Sequence, residues 1–190
     1  VFCGQKQNPD NGDVDSWLLK TDSSGRKIWS KTYDVKGWDE AFEVVQTSDG
    51  GFAIDGQTHF FEEGGIDSWL LRTDESGNHL WTKDYRTVGW DRISSLAKTD
   101  DGGFVMAGEL QYKENDAGSI VKPWLLRANE SGEELWSKTF GGSHYGSEVW
   151  DKIEMVIQTS DGEFAMVGGS TTSDNRRLDG WLLKTNNFES

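Results

Sequence analysis

The chain has 190 residues of which only 34% are hydrophobic, so a stable core has to lean on large side chains. Asp and Glu total 33 against 19 Lys and Arg, and the formal charge of -14 argues against a nucleic-acid backbone as partner and against adhesion to anionic lipid. A lone cysteine, Cys3, excludes an intrachain disulfide and any C-x-x-C site, and no apolar run approaches the ~18 residues of a membrane-spanning helix.

In chain order, Val1-Phe-Cys-Gly4 reads as a strand matching the later Phe52 to Gly56. The chain thus opens inside a repeat with no readable secretory leader, and it is expected to be a segment of a longer or processed polypeptide. Asn8-Pro-Asp-Asn-Gly-Asp-Val-Asp15 follows, an acidic loop whose Asp10, Asp13 and Asp15 are candidate calcium ligands. It lacks the distal bidentate Glu of an EF-hand loop, so a solvated loop is the favoured reading. Next comes a hairpin: Trp17-Leu-Leu-Lys-Thr21, a turn ending at Gly25, and a strand containing Trp29. Trp38 and Asp39 open a second hairpin, in which Phe42 to Thr47 turns through Ser48-Asp-Gly-Gly51 into Phe52-Ala-Ile-Asp-Gly56.

The same order then recurs. Trp69 to Thr73 turns through Asp74-Glu-Ser-Gly77 into His79 to Lys83, and Trp90 opens a hairpin that turns through Asp100-Asp-Gly-Gly103 into Phe104 to Gly108. Trp124 and Trp136 mark the next hairpin, Ile153 to Thr159 turns through Ser160-Asp-Gly162 into Phe164 to Gly168, and Trp181 to Thr185 closes the series. All ten tryptophans fall into three recurring motifs, and the period of the Trp-Leu-Leu motif is 52, 55 and then 57 residues. From Trp38 to Phe52, Trp90 to Phe104 and Trp150 to Phe164 the gap is constant, while insertions enter the loops at Glu109 to Pro123 and Gly141 to Val149. Helices are not expected, since no segment sustains a 3.6-residue apolar period and 23 glycines punctuate the chain.

Four antiparallel strands per repeat, here A to D, predict an all-β fold: a β-propeller of four-stranded antiparallel blades, favoured over a stacked solenoid. Residues 1–190 form one repeat domain of about 3.5 repeats, approximately 1–38 (partial), 39–90, 91–150 and 151–190 (partial). The first and last strands each need a neighbour, so another segment of the same precursor or a partner chain is expected to supply a D and an A strand and complete the ring.

Trp-Leu-Leu-Lys-Thr-Asp-Ser-Ser-Gly (17–25), Trp-Ser-Lys-Thr-Phe-Gly-Gly-Ser (136–143) and Val-Gln-Thr-Ser-Asp-Gly-Gly-Phe (45–52) resemble the tandem repeats of large secreted and cell-surface β-propeller proteins of archaea and bacteria. The resemblance covers the whole chain and carries no catalytic residue. It implies an extracellular module, often joined to other surface domains. The Trp17 to Trp29 segment is also similar to the tryptophan-docking motif of quinoprotein propellers, with a shorter turn and none of the cofactor-ligating constellation those enzymes use.

Residues that recur in every repeat are read as structural: Asp39, Asp91 and Asp151 after the strand-A tryptophan, Asp22, Asp74 and Asn129 in the C to D turns, and Asp15, Asp67 and Asp179 before the Trp-Leu-Leu triplets. Residues particular to one repeat are the better site candidates. They are His59, Phe60 and Phe61 beside Glu62 and Glu63, Tyr112 in the long loop, and His144 and Tyr145 in the expanded connection. Aromatics beside carboxylates suit sugar stacking and hydroxyl recognition. No Ser-His-Asp or Cys-His spacing is readable. One phase of strand A offers Ala41, Glu43, Val45; Ile93, Ser95, Ala97; and Ile153, Met155, Ile157, a poor lining for acid/base work. The expectation is a non-enzymatic extracellular scaffold or a protein- or glycan-binding surface in a cell-envelope or filament assembly, with no cofactor unless calcium; the alternative is a carbohydrate-active or quinone-dependent enzyme.

Overall fold

A computed structural model describes residues 1–60, 65–86, 90–113, 119–140, 151–171 and 178–185. Among these residues there is no helix. Strands β1 (Phe2–Gln7), β2 (Val14–Thr21) and β3 (Lys27–Tyr33) form one sheet, and β4 (Trp38–Gln46), β5 (Phe52–Phe60), β6 (Gly65–Thr73) and β7 (His79–Tyr85) a second. The third sheet holds β8 (Trp90–Lys98), β9 (Phe104–Lys113), β10 (Ser119–Ala128) and β11 (Glu134–Thr139), and the fourth β12 (Asp151–Gln158), β13 (Phe164–Thr171) and β14 (Leu178–Thr185). In every sheet successive strands are antiparallel neighbours, as short turns of Gly, Asp and Ser dictate.

Side-chain alternation gives each sheet two faces. One carries Trp17, Trp69, Trp124 or Trp181 and is called the tryptophan face; the other carries Leu18, Leu70, Leu125 or Leu182 and is called the leucine face. The chain divides into two compact units, Val1–Arg86 and Thr87–Ser190. In the first unit the leucine face of the first sheet packs on the tryptophan face of the second, burying Leu18 and Tyr33 against Phe52, Ile54, Trp69 and Leu71. In the second unit the same faces meet, with Val105, Ala107 and Leu125 against Ile153, Val156, Phe164 and Met166. One aromatic pair marks both contacts: Trp29 meets Phe52 edge-on at 5.8 Å, and Trp136 meets Phe164 at 5.9 Å.

Gly56 and Gly168 permit this packing, because a Cβ at Gly56 would lie 2.2 Å from both the Glu40 carbonyl oxygen and the Trp69 ring, and one at Gly168 would lie 2.3 Å from the Trp181 ring. The C to D turns are capped as expected. Asp22 Oδ1 accepts from the amides of Ser24 (2.9 Å) and Arg26 (3.0 Å), and Asp74 and Asn129 repeat the arrangement with Ser76 and Asn78 and with Ser131 and Glu133. Asp39 is fully buried and accepts from the amides of Val35 (2.6 Å) and Lys36 (3.3 Å) and from the Thr58 hydroxyl, so it too is spent on local structure.

Several expectations need correction. Strand A does not keep one phase, because a β-bulge follows Ala41, Ile93 and Ile153 in the three complete A strands. The inward series is therefore Ala41 then Val44, Ile93 then Leu96, and Ile153 then Val156, while Met155 and Ile157 are 55% and 50% exposed. The expected Ala41, Glu43, Val45 face and its two counterparts do not exist as single surfaces. In the second sheet Asp55 caps the bulge, its Oδ1 accepting from the Glu43 amide at 2.6 Å. Trp69 is buried as expected, but Trp81 is half-buried and sits on the opposite face, in register with Arg72. His59 and Phe60 lie in β5, and Glu109 to Lys113, expected in a long loop, lie in β9. Among the described residues β1 pairs with β2 and β14 with β13.

Candidate functional site

The repeats differ most where strand A begins and strand B ends. In the second sheet Trp38 is in register with His59 and Glu40 with Gln57, which places all four on the leucine face. Gln57 Nε2 donates to Glu40 Oε2 at 2.8 Å and lies 2.7 Å from His59 Nε2, and that ring nitrogen is 3.6 Å from Glu40 Oε2. Gln57 is buried, and its Oε1 has no partner among the described residues. Trp38 beside them is 39% exposed.

The third sheet repeats the layout with other chemistry. Trp90, 52% exposed, is in register with Gln111, and Arg92 with Glu109. Lys152 and Glu154 of β12 form an ion pair close by. Burial pushes the Glu109 carboxyl above its ordinary value, against the opposing pull of Arg92 and Lys152 and with a small addition from Glu154. An exposed indole flanked by a carboxylate and an amide thus occurs twice on equivalent positions.

Of the candidates read from sequence, His59 joins the first cluster. Phe60 ends β5 half-buried, with the Arg86 guanidinium 5.5 Å from its ring centroid; Arg86 also pairs with Asp67 at 2.9 Å. Tyr112 lies in β9 in register with Ile120. Phe61, His144 and Tyr145 lie outside the described residues. In the acidic loop, Asn8 Oδ1 accepts from the Asp10 amide and Asn11 Oδ1 from the Asp13 amide, both at 3.1 Å, and Asp13 Oδ2 accepts from the Asn11 side chain at 2.5 Å. Asp15 is buried, and burial first, then Asp34 and Asp13, raises its carboxyl pKa. Asp10, Asp13 and Asp15 do not converge: among the described residues no three His, Cys, Asp or Glu side chains gather as a metal requires.

Sequence analysis did not single out Trp38 or Trp90 as site residues. The signal was present in the alternation: each tryptophan precedes a buried Asp39 or Asp91 and shares parity with a charged residue, Glu40 or Arg92, which puts it on the polar phase. Comparison with known protein families and with curated proteins finds no match to this chain.

Proposed function

We propose that the chain is a non-enzymatic extracellular repeat module, its sheets the blades of a β-propeller, acting as a scaffold that binds glycans in a cell-envelope or filament assembly. The observation that carries the glycan part is the pair of exposed indoles, Trp38 and Trp90, each on a strand face with polar side chains that change between repeats. A sugar ring stacks its apolar face on an indole and presents hydroxyls at the rim, where Glu40, Gln57 and His59, or Arg92, Glu109 and Gln111, offer donors and acceptors. The polar residues common to the repeats are occupied in turns and loop contacts, whereas those beside Trp38 and Trp90 differ from one repeat to the next. The extracellular setting rests on the resemblance of the Trp-Leu-Leu and Asp-Gly-Gly-Phe motifs to surface-protein repeats.

A glycan array read with the intact chain, followed by titration of the best ligand, tests the proposal. Trp38→Ala and Trp90→Ala are expected to weaken binding about tenfold or more each at their own sites, a loss of about 1.4 kcal/mol or more. Binding that ignores both substitutions would remove the indole platforms from the reading.

The rival reading, a carbohydrate-active enzyme, has one observation in its favour. Glu109 is a carboxyl whose proton affinity is raised by burial, next to an exposed tryptophan and near Glu154, and a raised carboxyl is what a general acid needs. Oligosaccharide hydrolysis that disappears in Glu109→Gln would establish it; ligand recovered intact supports the scaffold.

A further inference from the structure

Asn129-Glu130-Ser131 is the single Asn-x-Ser/Thr triplet in the 190 residues, and it sits in the turn between β10 and β11. Such a triplet is a weak signal by itself. Its setting makes it specific. The three C to D turns share one cap: in the first, Asp22 Oδ1 accepts from two turn amides and Oδ2 accepts from Arg26 Nε at 3.0 Å. In the second, Asp74 Oδ1 does the same and Oδ2 accepts from Asn78 Nδ2 at 2.7 Å. In the third, Asn129 Oδ1 keeps both amide bonds, from Ser131 and Glu133 at 2.9 Å each, and the atom in place of Oδ2 is the amide nitrogen Nδ2. Glu133 stands where Arg26 and Asn78 stand in the other turns. Among the described residues neither Asn129 Nδ2 nor the Ser131 hydroxyl has a hydrogen-bond partner, and neither is sealed from water. Asn129 is half-buried, while Glu130 and Ser131 are exposed.

Capping the turn uses only Oδ1, so Nδ2 is available for chemistry. Two amides donating to Oδ1 also stabilise negative charge on that oxygen, which lets Nδ2 give up a proton more readily. We infer that Asn129 is an acceptor for N-linked glycosylation, taking its sugar from a lipid-phosphate-linked oligosaccharide through a transferase. In the transfer Nδ2 attacks the anomeric carbon and an N–C bond forms as the bond from that carbon to the donor's phosphate oxygen breaks. The Nδ2 proton passes to a base of the transferase, and the lipid phosphate leaves with the bonding electron pair. The fold accommodates the product, because β11 is an edge strand of the third sheet and the turn before it is exposed at Glu130 and Ser131. Attachment is also remote from the indole platform of that sheet. Gln111, the partner of Trp90, is in register with Val121, and from there to Ala128 β10 runs about 23 Å at about 3.3 Å per residue. The inference rests on the extracellular setting proposed above, but it uses neither Trp38 nor Trp90.

Mass spectrometry of the protein purified from its own cells, with surface and interior fractions kept apart, tests it. The tryptic peptide 128–138 of the surface fraction is expected to carry a glycan, located on Asn129 by fragmentation of the peptide. Asn129→Asp, which restores the residue of the other two turns, is expected to lose the added mass while glycan binding stays unchanged and the melting temperature stays within a few degrees. Ser131→Ala keeps the amide but breaks the triplet and is expected to lose the glycan as well, whereas Ser131→Thr keeps it. An unmodified peptide 128–138 in the surface protein overturns the inference, leaves the extracellular setting standing and makes Asn129 a turn cap and nothing more. A glycan that persists in Ser131→Ala overturns it too, since the triplet would then play no part. Protein found only inside the cell sinks the extracellular setting and the inference together, and the fractionation separates that outcome from the first.

Discussion

Arg72 and Arg127 account for a detail of the A to B turns that composition alone leaves arbitrary. Each guanidinium is buried, donates to the carbonyl oxygen of the strand-B phenylalanine (Phe52, 3.3 Å; Phe104, 3.0 Å), and reaches the turn aspartate, Asp49 at 2.6 Å or Asp101 at 2.5 Å. A Cβ at Gly51 or Gly103 would lie 2.5 Å from that guanidinium, so a second glycine must follow the one at positive φ. In the fourth sheet the cation is Lys184, which needs no such room, and the position holds Glu163, itself 3.0 Å from Lys184. The Thr47 hydroxyl and then Arg72 hold the Asp49 carboxyl down to about 2, below its ordinary 3.8. A depressed carboxyl contributes stability above its unfolded value and loses it as pH falls through the folded one, so this increment disappears between about pH 4 and pH 2. Because the Asp49 side chain is 60% exposed, the increment is below about 1 kcal/mol. Urea melts of wild type and Asp49→Asn at about pH 5 and about pH 2.5 are expected to differ less at the lower pH; an equal gap at both would contradict the assignment. Cys3 shows the opposite shift. Burial first, then the charges of Asp55 and Glu43, pushes its thiol up to about 11, so at about pH 8 alkylation of the folded chain is expected to be on the order of 100-fold slower than in denaturant. Mass spectrometry of the time course decides this, and similar rates in both states would show the thiol to be accessible and unshifted.

At the scale of strands, the tryptophans divide by face. Trp69, 1% exposed in a cluster with Phe52 and Leu71, is expected to cost about 3–5 kcal/mol when changed to alanine, whereas Trp38→Ala is expected to stay within about 1 kcal/mol. Gly56→Ala is expected to destabilise by about 2–3 kcal/mol, since its methyl meets both a bulge carbonyl and the Trp69 ring. Gly12→Ala, at φ 82° with nothing within 4 Å, is expected to cost only about 1 kcal/mol. Thermal or urea melts rank the four variants, and a Gly56→Ala protein as stable as Gly12→Ala would mean that the ring and bulge do not close on that backbone. Hairpins, turn caps and the burial of Trp69 were legible because Asp-Gly turns and aromatic alternation are local signals. The bulges were not: Phe42, Ser94 and Glu154, the inserted residues, share no chemistry, and the shift shows only in the pairing across to β5, β9 and β13. The indole platforms could be read in part, since the parity of Trp38 with Glu40 is in the sequence. The approach of Gln57 and His59 to Glu40 depends on register between strands and had no sequence signal.

For the molecule as a whole the dominant long-range term is self-repulsion, because a charge of -14 is carried on 190 residues, and the negative groups include exposed turn carboxylates such as Asp10, Asp13 and Asp49. Monovalent salt screens such charges over about 8–10 Å at 0.1–0.15 M, so the melting temperature is expected to rise by a few degrees between about 10 mM and about 150 mM sodium chloride. Calcium would do more only at a built site. In the acidic loop the Asn8 and Asn11 carbonyl oxygens and Asp13 Oδ2 are engaged by neighbouring donors, and Asp15 is buried apart from solvent, so the loop offers scattered single carboxylates and no cage. Calcium chloride at matched ionic strength is therefore expected to add no more than about 0.5 kcal/mol beyond the sodium chloride effect, and chelator to leave the melting temperature within a few degrees. A saturable rise in melting temperature with calcium, abolished by Asp13→Asn, would show instead that the loop closes around the ion and that the turn hydrogen bonds give way to coordination.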